Sequence, residues 1–492
     1  MVSPCVLRNG QAVPIEKVPV LSPSEFRKAV LDAVNEGARI SSLFGRRLDH
    51  GGVGLLAVLA QDSKGLLSLL ATGPVEEYPS LTPDCPQAQL FEREIFEQFG
   101  VRPHGHPWLK PVRFPPRAEG PRAAAEFFRV EGEEVHEVAV GPVHAGVIEP
   151  GHFRFQCHGE IVRHLEISLG YQHRGVERSL AGGPDKRTLH TMETLAGDTS
   201  IGHAWAYCQA LEALGKADAP PRASALRAAA LELERIANHI GDLGALAGDV
   251  GFLPTQSYCG RIRGDALNIT AMLCGNRFGR GLLSPGGTAF DADAALAEEM
   301  LARLQAVDQD AASAVGLLWD SPSVTGRFED TGRVSLKDCA ALGLVGPAAR
   351  ACGTNQDVRR DLSFGMYRYA MIPISSWHAG DVFGRAYVRW LETQRSIQFT
   401  RELLKALPGG SVRRAAPKPA CGHVAVSLVE GWRGEICHTA LTDGQGRFAA
   451  YKVVDPSFHN WFGLALSLRG QQISDFPLCN KSFNLSYCGH DL

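Results

Sequence analysis

The sequence predicts a small α/β unit at the amino terminus, followed by an α+β body that is mainly helical. Three observations carry that prediction. Two short apolar runs, Leu55–Leu59 and Leu66–Leu70, flank Asp62-Ser63-Lys64-Gly65 and read as strand, turn, strand. Between residues 203 and 407, long segments carry apolar residues at helical spacing. Near the carboxyl end, Glu435–Thr442 and Phe448–Val454 surround Asp443-Gly444-Gln445-Gly446 and read as a hairpin.

In chain order, FEREIFEQFG is the first strong helix signal. Phe91, Ile95, Phe96 and Phe99 share one face, Glu92, Arg93, Glu94 and Glu97 the other, and Gly100 is a stop. RPHGHPWLKPVRFPP is dense in Pro and Gly and is expected extended on a surface. Mixed charge without a strand pattern makes 117–137 a linker, dividing the chain into 1–116, 117–137 and 138–492. Strands are expected at Phe153–Phe155 and Ile161–Ile167. Helices follow around His203–Leu214, Ser224–Leu246, Ala289–Leu317 and Val382–Leu407. In the second helix Leu226, Leu233, Ile236, Ala237, Ile240 and Leu243 form a stripe that reads as core.

Composition narrows the function. The 492 residues are 45% hydrophobic and 21% charged, ordinary for a folded protein. A formal charge of -3 argues against a nucleic-acid-binding surface. No apolar run approaches the ~18 residues of a membrane helix. The first residues do not read as a secretory signal, so the chain is expected on the cytosolic side of a membrane or in the cytosol. Twelve cysteines include no C-x-x-C pair, the usual unit of zinc, iron–sulfur and thiol redox sites, which favours free thiols. His104-x-His106 lacks acidic or thiol company and reads as surface packing. Gly275–Gly287 is Gly-rich but lacks a phosphate-loop pattern.

Several segments carry a family resemblance. FEREIFEQFGVRPHGHPWLKPVRFP resembles the 30-kDa-type subunit of respiratory complex I. From Val138 to Leu492 the chain resembles the 49-kDa-type subunit and the large subunit of group 4 nickel–iron hydrogenases. The matching segments are GPVHAGVIEPGHFRF, LGYQHRGVER, ELERIANHIGDLG, GDVFGRAYVR, DPSFHNWFGLALSLRG and SDFPLCNKSF. Both modules on one chain is the layout of the formate hydrogenlyase and hydrogenase-4 large subunit. The resemblance implies a complex I 30-kDa-like α/β domain joined to a hydrogenase large-subunit-like domain.

It also implies where metal ligands stand in active relatives, which hold nickel and iron with four thiolates. In this register the positions are Ala196, Thr199, Ser486 and Gly489, so no metal is expected and active nickel–iron hydrogenase chemistry is rejected. Cys488 is one residue out of register, and Asp455-Pro456-Ser457 lies upstream as a decoy. The quinone-facing Tyr of complex I relatives falls on Gly197, leaving His144 and His152 as nearby candidates for the quinone-facing His.

The resemblance places Glu149 beside the former metal site as a proton carrier; the alternative is a loop carboxylate. His173, Arg174 and Glu177 stand as a wall of the redox-facing cavity, or Arg174 and Glu177 as an i, i+3 pair. Asp198 and His203 hold a proton or water network, or fill a dead pocket. Asp475 is expected to need Arg385 or Arg389 as partner. Glu149, Glu177, Asp198 and His203 are thus the candidate catalytic residues, with His144, His152, His173 and Arg174 facing the cavity.

The implied function is a peripheral, cytosol-facing subunit of a membrane-bound, quinone-linked, ion-translocating oxidoreductase. No cofactor is expected on this chain; the iron–sulfur cluster belongs to a small 20-kDa-like partner, and antiporter-like subunits span the membrane. The rival reading is a non-catalytic element that serves as scaffold or couples redox change to ion movement.

Overall fold

The computed structural model describes residues 3–114, 126–144 and 148–492. The amino-terminal sheet orders its strands Cys5–Leu7, Leu66–Thr72, Val53–Gln61 and Arg39–Arg47, with Val20–Leu21 added in parallel to Leu66–Thr72. Asp62–Lys64 and a left-handed Gly65 make the predicted turn. Helix Pro23–Asn35 starts with a Ser22/Glu25 capping box and buries Phe26 and Val30. Residues 54–60 are buried, so that strand reads as a continuous apolar run instead of alternating.

Helix Gln89–Phe99 ends at left-handed Gly100, as the sequence predicts, but its polar face is not solvated. Glu92, Arg93 and Glu94 are buried, whereas Phe96 is exposed. The helix is wedged between the amino-terminal sheet and the helical body, so its charges find partners inside. Glu92 accepts from the backbone N–H of Leu81 and Thr82 and from both the Ser80 and Thr82 hydroxyls. Both Glu94 oxygens lie 2.7 Å from Lys452 Nζ, and Arg113 pairs with the same carboxylate. The following stretch is extended where Arg102–His104 pairs with Glu77–Pro79. It then dives inward: Val112 and Arg113 are buried, and Arg113 Nε donates to the His490 carbonyl at 3.0 Å.

Of the expected linker, 117–125 lies outside the described residues. Its last three residues already belong to strand Val135–Val140, which pairs with His152–His158; that strand pairs in turn with Ile161–Ser168.

The helical body is built on Ser200–Leu214, Pro221–Asp249, Leu253–Cys274, Ala294–Trp319 and Val382–Lys405. Leu253–Cys274 is a helix that sequence periodicity does not signal, because two glycines and several polar residues dilute its buried stripe of Cys259, Ile262, Ala266, Ile269 and Leu273. The predicted stripe of Pro221–Asp249 is buried, and so are Arg227, Glu232, Glu234, Arg235, His239 and Asp242 on the same helix. These charges are paired: Glu232 faces Arg235 and Arg359 and accepts from Ser396, while Glu392 holds Arg350 at 2.7 Å and His239 at 2.8 Å. The carboxyl-terminal hairpin forms as Gly434–Thr442 and Phe448–Val454. Its sheet continues through His423–Gly431 to Gln11–Pro14, so the first residues of the chain complete a sheet of the last ones. Asn9 reinforces that seam, donating to the Leu362 and Leu428 carbonyls. Among the described residues no helix is long and apolar enough to cross a membrane.

Candidate functional site

His203 lies one turn into helix Ser200–Leu214 and is fully buried. Its Nε2 is 3.0 Å from Asp455 Oδ2, and its Nδ1 is 3.1 Å from His438 Nε2. His438, on strand Gly434–Thr442, places its Nδ1 2.9 Å from the Tyr451 hydroxyl on the neighbouring strand. Asp455 caps helix Pro456–Ser467 by accepting from Ser457 N at 2.8 Å. Burial favours a neutral Asp455, but the His203 hydrogen bond and the charges of His203 and Arg433 outweigh it and hold the carboxyl below the usual range. Burial, reinforced by the neighbouring His203, pushes His438 well below the ordinary histidine range. An ionised Asp455 only accepts, so His203 donates from Nε2 and, when neutral, accepts at Nδ1. His438 then donates from Nε2 and accepts the Tyr451 O–H at Nδ1. With a neutral His203 the result is one directed chain, Tyr451 to His438 to His203 to Asp455. A protonated His203 donates to both neighbours and turns the His438–Tyr451 bond round.

Arg433 closes the pocket from the turn beyond strand His423–Gly431. It donates to both Asp198 oxygens, at 2.6 and 2.8 Å, and to the Asn484 carbonyl at 2.5 Å. Its guanidinium lies 3.9 Å over the Trp432 ring. Burial alone would raise Asp198, yet Arg433 holds its carboxyl below the ordinary range. Glu234 enters from the long helix and accepts from Ile201 N at 2.7 Å and Gly202 N at 3.2 Å. Burial dominates there, with the Asp198 charge adding to it, and pushes Glu234 up to about 8 despite both N–H donors.

The four positions that the resemblance assigns to metal ligands lie around this pocket, and the residues that stand there do not fit a nickel–iron centre. Ala196 offers a methyl group. Thr199 Oγ1 is engaged by Trp432 Nε1, Arg433 and Asp198. Ser486 Oγ accepts from Gly489 N at 2.9 Å. A Cβ at Gly489 would stand 2.7 Å from Asp455 Oδ2, so a carboxylate fills the space a cysteine there would need. No soft thiolate is among the four. Cys488, off register, is pushed up to about 11 by burial and the nearby Glu149, and stays a neutral thiol. Among the described residues no group of three or more His, Cys, Asp or Glu is arranged to hold a metal ion.

The other candidates divide. Glu149 accepts from Tyr487 N and Cys488 N at 3.3 and 3.2 Å, at the start of the last helix, Tyr487–Asp491. Arg174 donates to the Thr194, Leu195 and Cys488 carbonyls, and His173 Nδ1 bonds the Asp491 carbonyl at 2.8 Å. These residues hold Thr194 and Leu195 against the last helix. Glu177 does not pair with Arg174. It accepts from Val453 N and faces Lys452 at 2.9 Å, because its short helix turns it toward the hairpin. His144 bonds the Gly151 carbonyl and His152 the Gly141 carbonyl, so one ring nitrogen of each is spent on nearby backbone. Asp475 pairs with Arg327 at 3.1 Å, not with Arg385 or Arg389. Arg385 is taken by Ser482 and two backbone carbonyls, while Arg389 faces Asp242. His104 and His106 diverge, to Glu77 and to the Gln89 carbonyl. In the Gly-rich stretch, Gly275 ends a helix and Gly281 N donates to Glu193.

Sequence reasoning does not find His438, Tyr451, Arg433 or Glu234, and it sets Asp455 aside as a decoy. Asp455-Pro456-Ser457 is a helix-cap signature; only folding brings that cap against His203. Glu234 stands inside the ELERIANHIGDLG segment, and its charge within an apolar stripe is the available signal.

The fold is a two-module chain with a buried carboxylate–histidine pocket in its second module. Residues 55–123 match the family model of the respiratory-chain NADH dehydrogenase 30 Kd subunit, and residues 249–423 that of the 49 Kd subunit. The chain is 30% identical over 350 residues to the carbon monoxide-induced hydrogenase of Rhodospirillum rubrum, covering 71% of this chain and 97% of that one. It is 28% identical over 437 residues to formate hydrogenlyase subunit 5 of Escherichia coli, covering 84% and 76%. Against hydrogenase-4 component G of Escherichia coli it is 26% identical over 451 residues, covering 86% and 77%. The chain therefore belongs to the family of complex I 49-kDa-type and hydrogenase large subunits, with a 30-kDa-type domain fused to it.

Proposed function

We propose that this chain is a peripheral subunit, on the cytoplasmic side, of a membrane-bound complex I-like oxidoreductase related to formate hydrogenlyase and hydrogenase-4. Its pocket handles protons in place of a bimetallic centre. The observation that carries this reading is the buried chain Tyr451–His438–His203–Asp455 ending where the side chain at position 489 would lie. Electrons arrive from the cluster of a small iron–sulfur partner, and a quinone takes two electrons and two protons to become a quinol. Glu234, near 8, exchanges a proton at neutral pH, and Asp455 with His203 orients the protons that follow. Antiporter-like membrane subunits use the redox energy to move ions.

The scaffold reading is favoured by one observation, the crowding of Gly489 by Asp455, which leaves little room for a substrate at that point. Purifying the complex and assaying reduction of a water-soluble quinone analogue with an artificial donor separates the two. Turnover that falls at least tenfold in His203→Gln, with all partner chains still bound, supports proton handling; no turnover in the intact complex supports the scaffold. Nickel bound stoichiometrically to the purified chain would refute both.

A further inference from the structure

A second cavity lies away from this pocket, between the two modules. It encloses about 370 Å³, at the small end of the range for ligand sites. Helix Gln89–Phe99 and the stretch 108–114 form one side; strand Ile161–Ser168 and helix Pro456–Ser467 form the other. Its walls are mostly apolar, with Trp108, Phe127, Leu165, Trp461 and Phe462 prominent.

The charges on this lining do not cancel. Lys110 is paired with Glu166 at 2.7 Å, which leaves that couple neutral. His164 and His490 are held below their ordinary range by burial and stay neutral near pH 7. Arg93 is only 7% exposed, yet no carboxylate among the described residues forms an ion pair with it. Its Nε and Nη2 donate to the Lys110 and Pro111 carbonyls at 2.7 and 2.9 Å, and Nη1 donates to no described atom. The ring of Trp108 lies 4.8 Å from the guanidinium. Arg469, at the exposed end of the lining, also has no ion-pair partner among the described residues. Glu97 and Glu166 act on Arg93 only from beyond ion-pair distance, and burial outweighs them; a ligand that brings a negative charge into contact offsets that cost. The indole Nε1 of Trp461 is buried without a hydrogen-bond partner among the described residues, a second polar atom on this lining left open.

We propose that this cavity is a binding site for an amphipathic monoanion, a medium-chain carboxylate whose head meets Arg93 and Arg469 and whose tail lies along Trp461, Phe462 and Leu165. The apolar walls supply affinity through burial of the chain, and the unpaired arginines select the charged head over a neutral one. The small volume excludes a whole diacyl lipid. The inference is independent of the proton pocket.

The test titrates the purified full chain with decanoate and with decanol, below their micelle concentrations, following tryptophan fluorescence and calorimetry. Saturable decanoate binding, at least tenfold tighter than decanol, is expected. Arg93→Gln should weaken decanoate at least tenfold and leave decanol within twofold, and Ala465→Phe, which fills the cavity from its helix, should abolish both. Thermal melts establish that each variant is folded. No saturable decanoate binding to the unaltered chain, equal affinity for decanol, or decanoate binding untouched by both substitutions overturns the proposal. In a second arm, vesicles of phosphatidylglycerol and phosphatidylcholine are offered to the chain. Arg93-dependent capture that decanoate competes away would make a bilayer lipid the source of the anionic chain; decanoate binding without capture makes it a free acid.

Discussion

The imidazoles of His203 and His438 meet nitrogen to nitrogen at 3.1 Å inside the core, so one facing nitrogen carries a hydrogen and the other accepts it. Asp455 on the far side fixes the donor at His203 Nε2, so a neutral His203 accepts at Nδ1 and the Tyr451 hydroxyl completes the order. Replacing His438 by Phe leaves His203 Nδ1 buried without a partner, at a cost of about 1–3 kcal/mol. It also cuts the chain to Tyr451. Proton-coupled turnover of the purified complex should fall at least tenfold with its partner chains unchanged; full turnover would remove the chain from the mechanism.

Glu234 sets a pH dependence of stability. Its folded-state pKa, about 8, lies above the ordinary glutamate value. Between those values the folded chain holds a proton that the unfolded chain has released. The contribution is therefore full below the unfolded pKa and lost as pH rises toward 8, by up to about 1.4 kcal/mol per pH unit. Glu234→Gln keeps an oxygen for Ile201 N and removes this slope. Urea unfolding at pH 5, 6, 7 and 8 should show the variant gaining on the unaltered chain with each step upward; parallel curves would contradict the buried, protonated carboxyl.

Gly489 and Asp455 should be energetically coupled. A methyl at 489 stands 2.7 Å from the carboxylate, so Gly489→Ala alone forces Asp455 aside and costs about 1–3 kcal/mol. In the Asp455→Ala background most of that cost disappears. A double-mutant cycle on denaturant unfolding should return a coupling of about 0.5–3 kcal/mol, and simple additivity would deny the contact.

Lys452 joins the two modules: it is buried between Glu94 of the amino-terminal unit and Glu177 of the body. Lys452→Met strands Glu94 in the interior with Arg113 as its remaining cation. Loss of one partner of a buried pair costs about 3–5 kcal/mol. Limited proteolysis and thermal melting should both register the loss; an unshifted melt would show that Arg113 alone satisfies Glu94.

Much of this protein is legible in order along the chain. Leu55–Leu59, the Asp62–Gly65 turn and the Gly100 stop behave as their local chemistry predicts. The stripe at Leu226–Leu243 is core, and the last hairpin forms where turn residues interrupt two β-rich runs. Residue identity alone also shows that positions 196, 199, 486 and 489, which the resemblance assigns to metal ligands, carry no thiolate. What misleads is the assumption that charge means surface. Glu92, Arg93 and Glu94 read as a solvated face because a helix beside a single sheet has a wet side, and this helix has none.

Local sequence, acting through periodicity, caps and turn residues, determined which segments become helices and strands. The tertiary structure alone decided which distant charges share a dielectric interior. Asp455, His438 and Arg433 acquire their roles because His203 and Asp198, more than two hundred residues away in the chain, arrive within hydrogen-bonding distance. Buried polar groups must be satisfied by whatever the fold places beside them, and a linear pattern does not encode that neighbour.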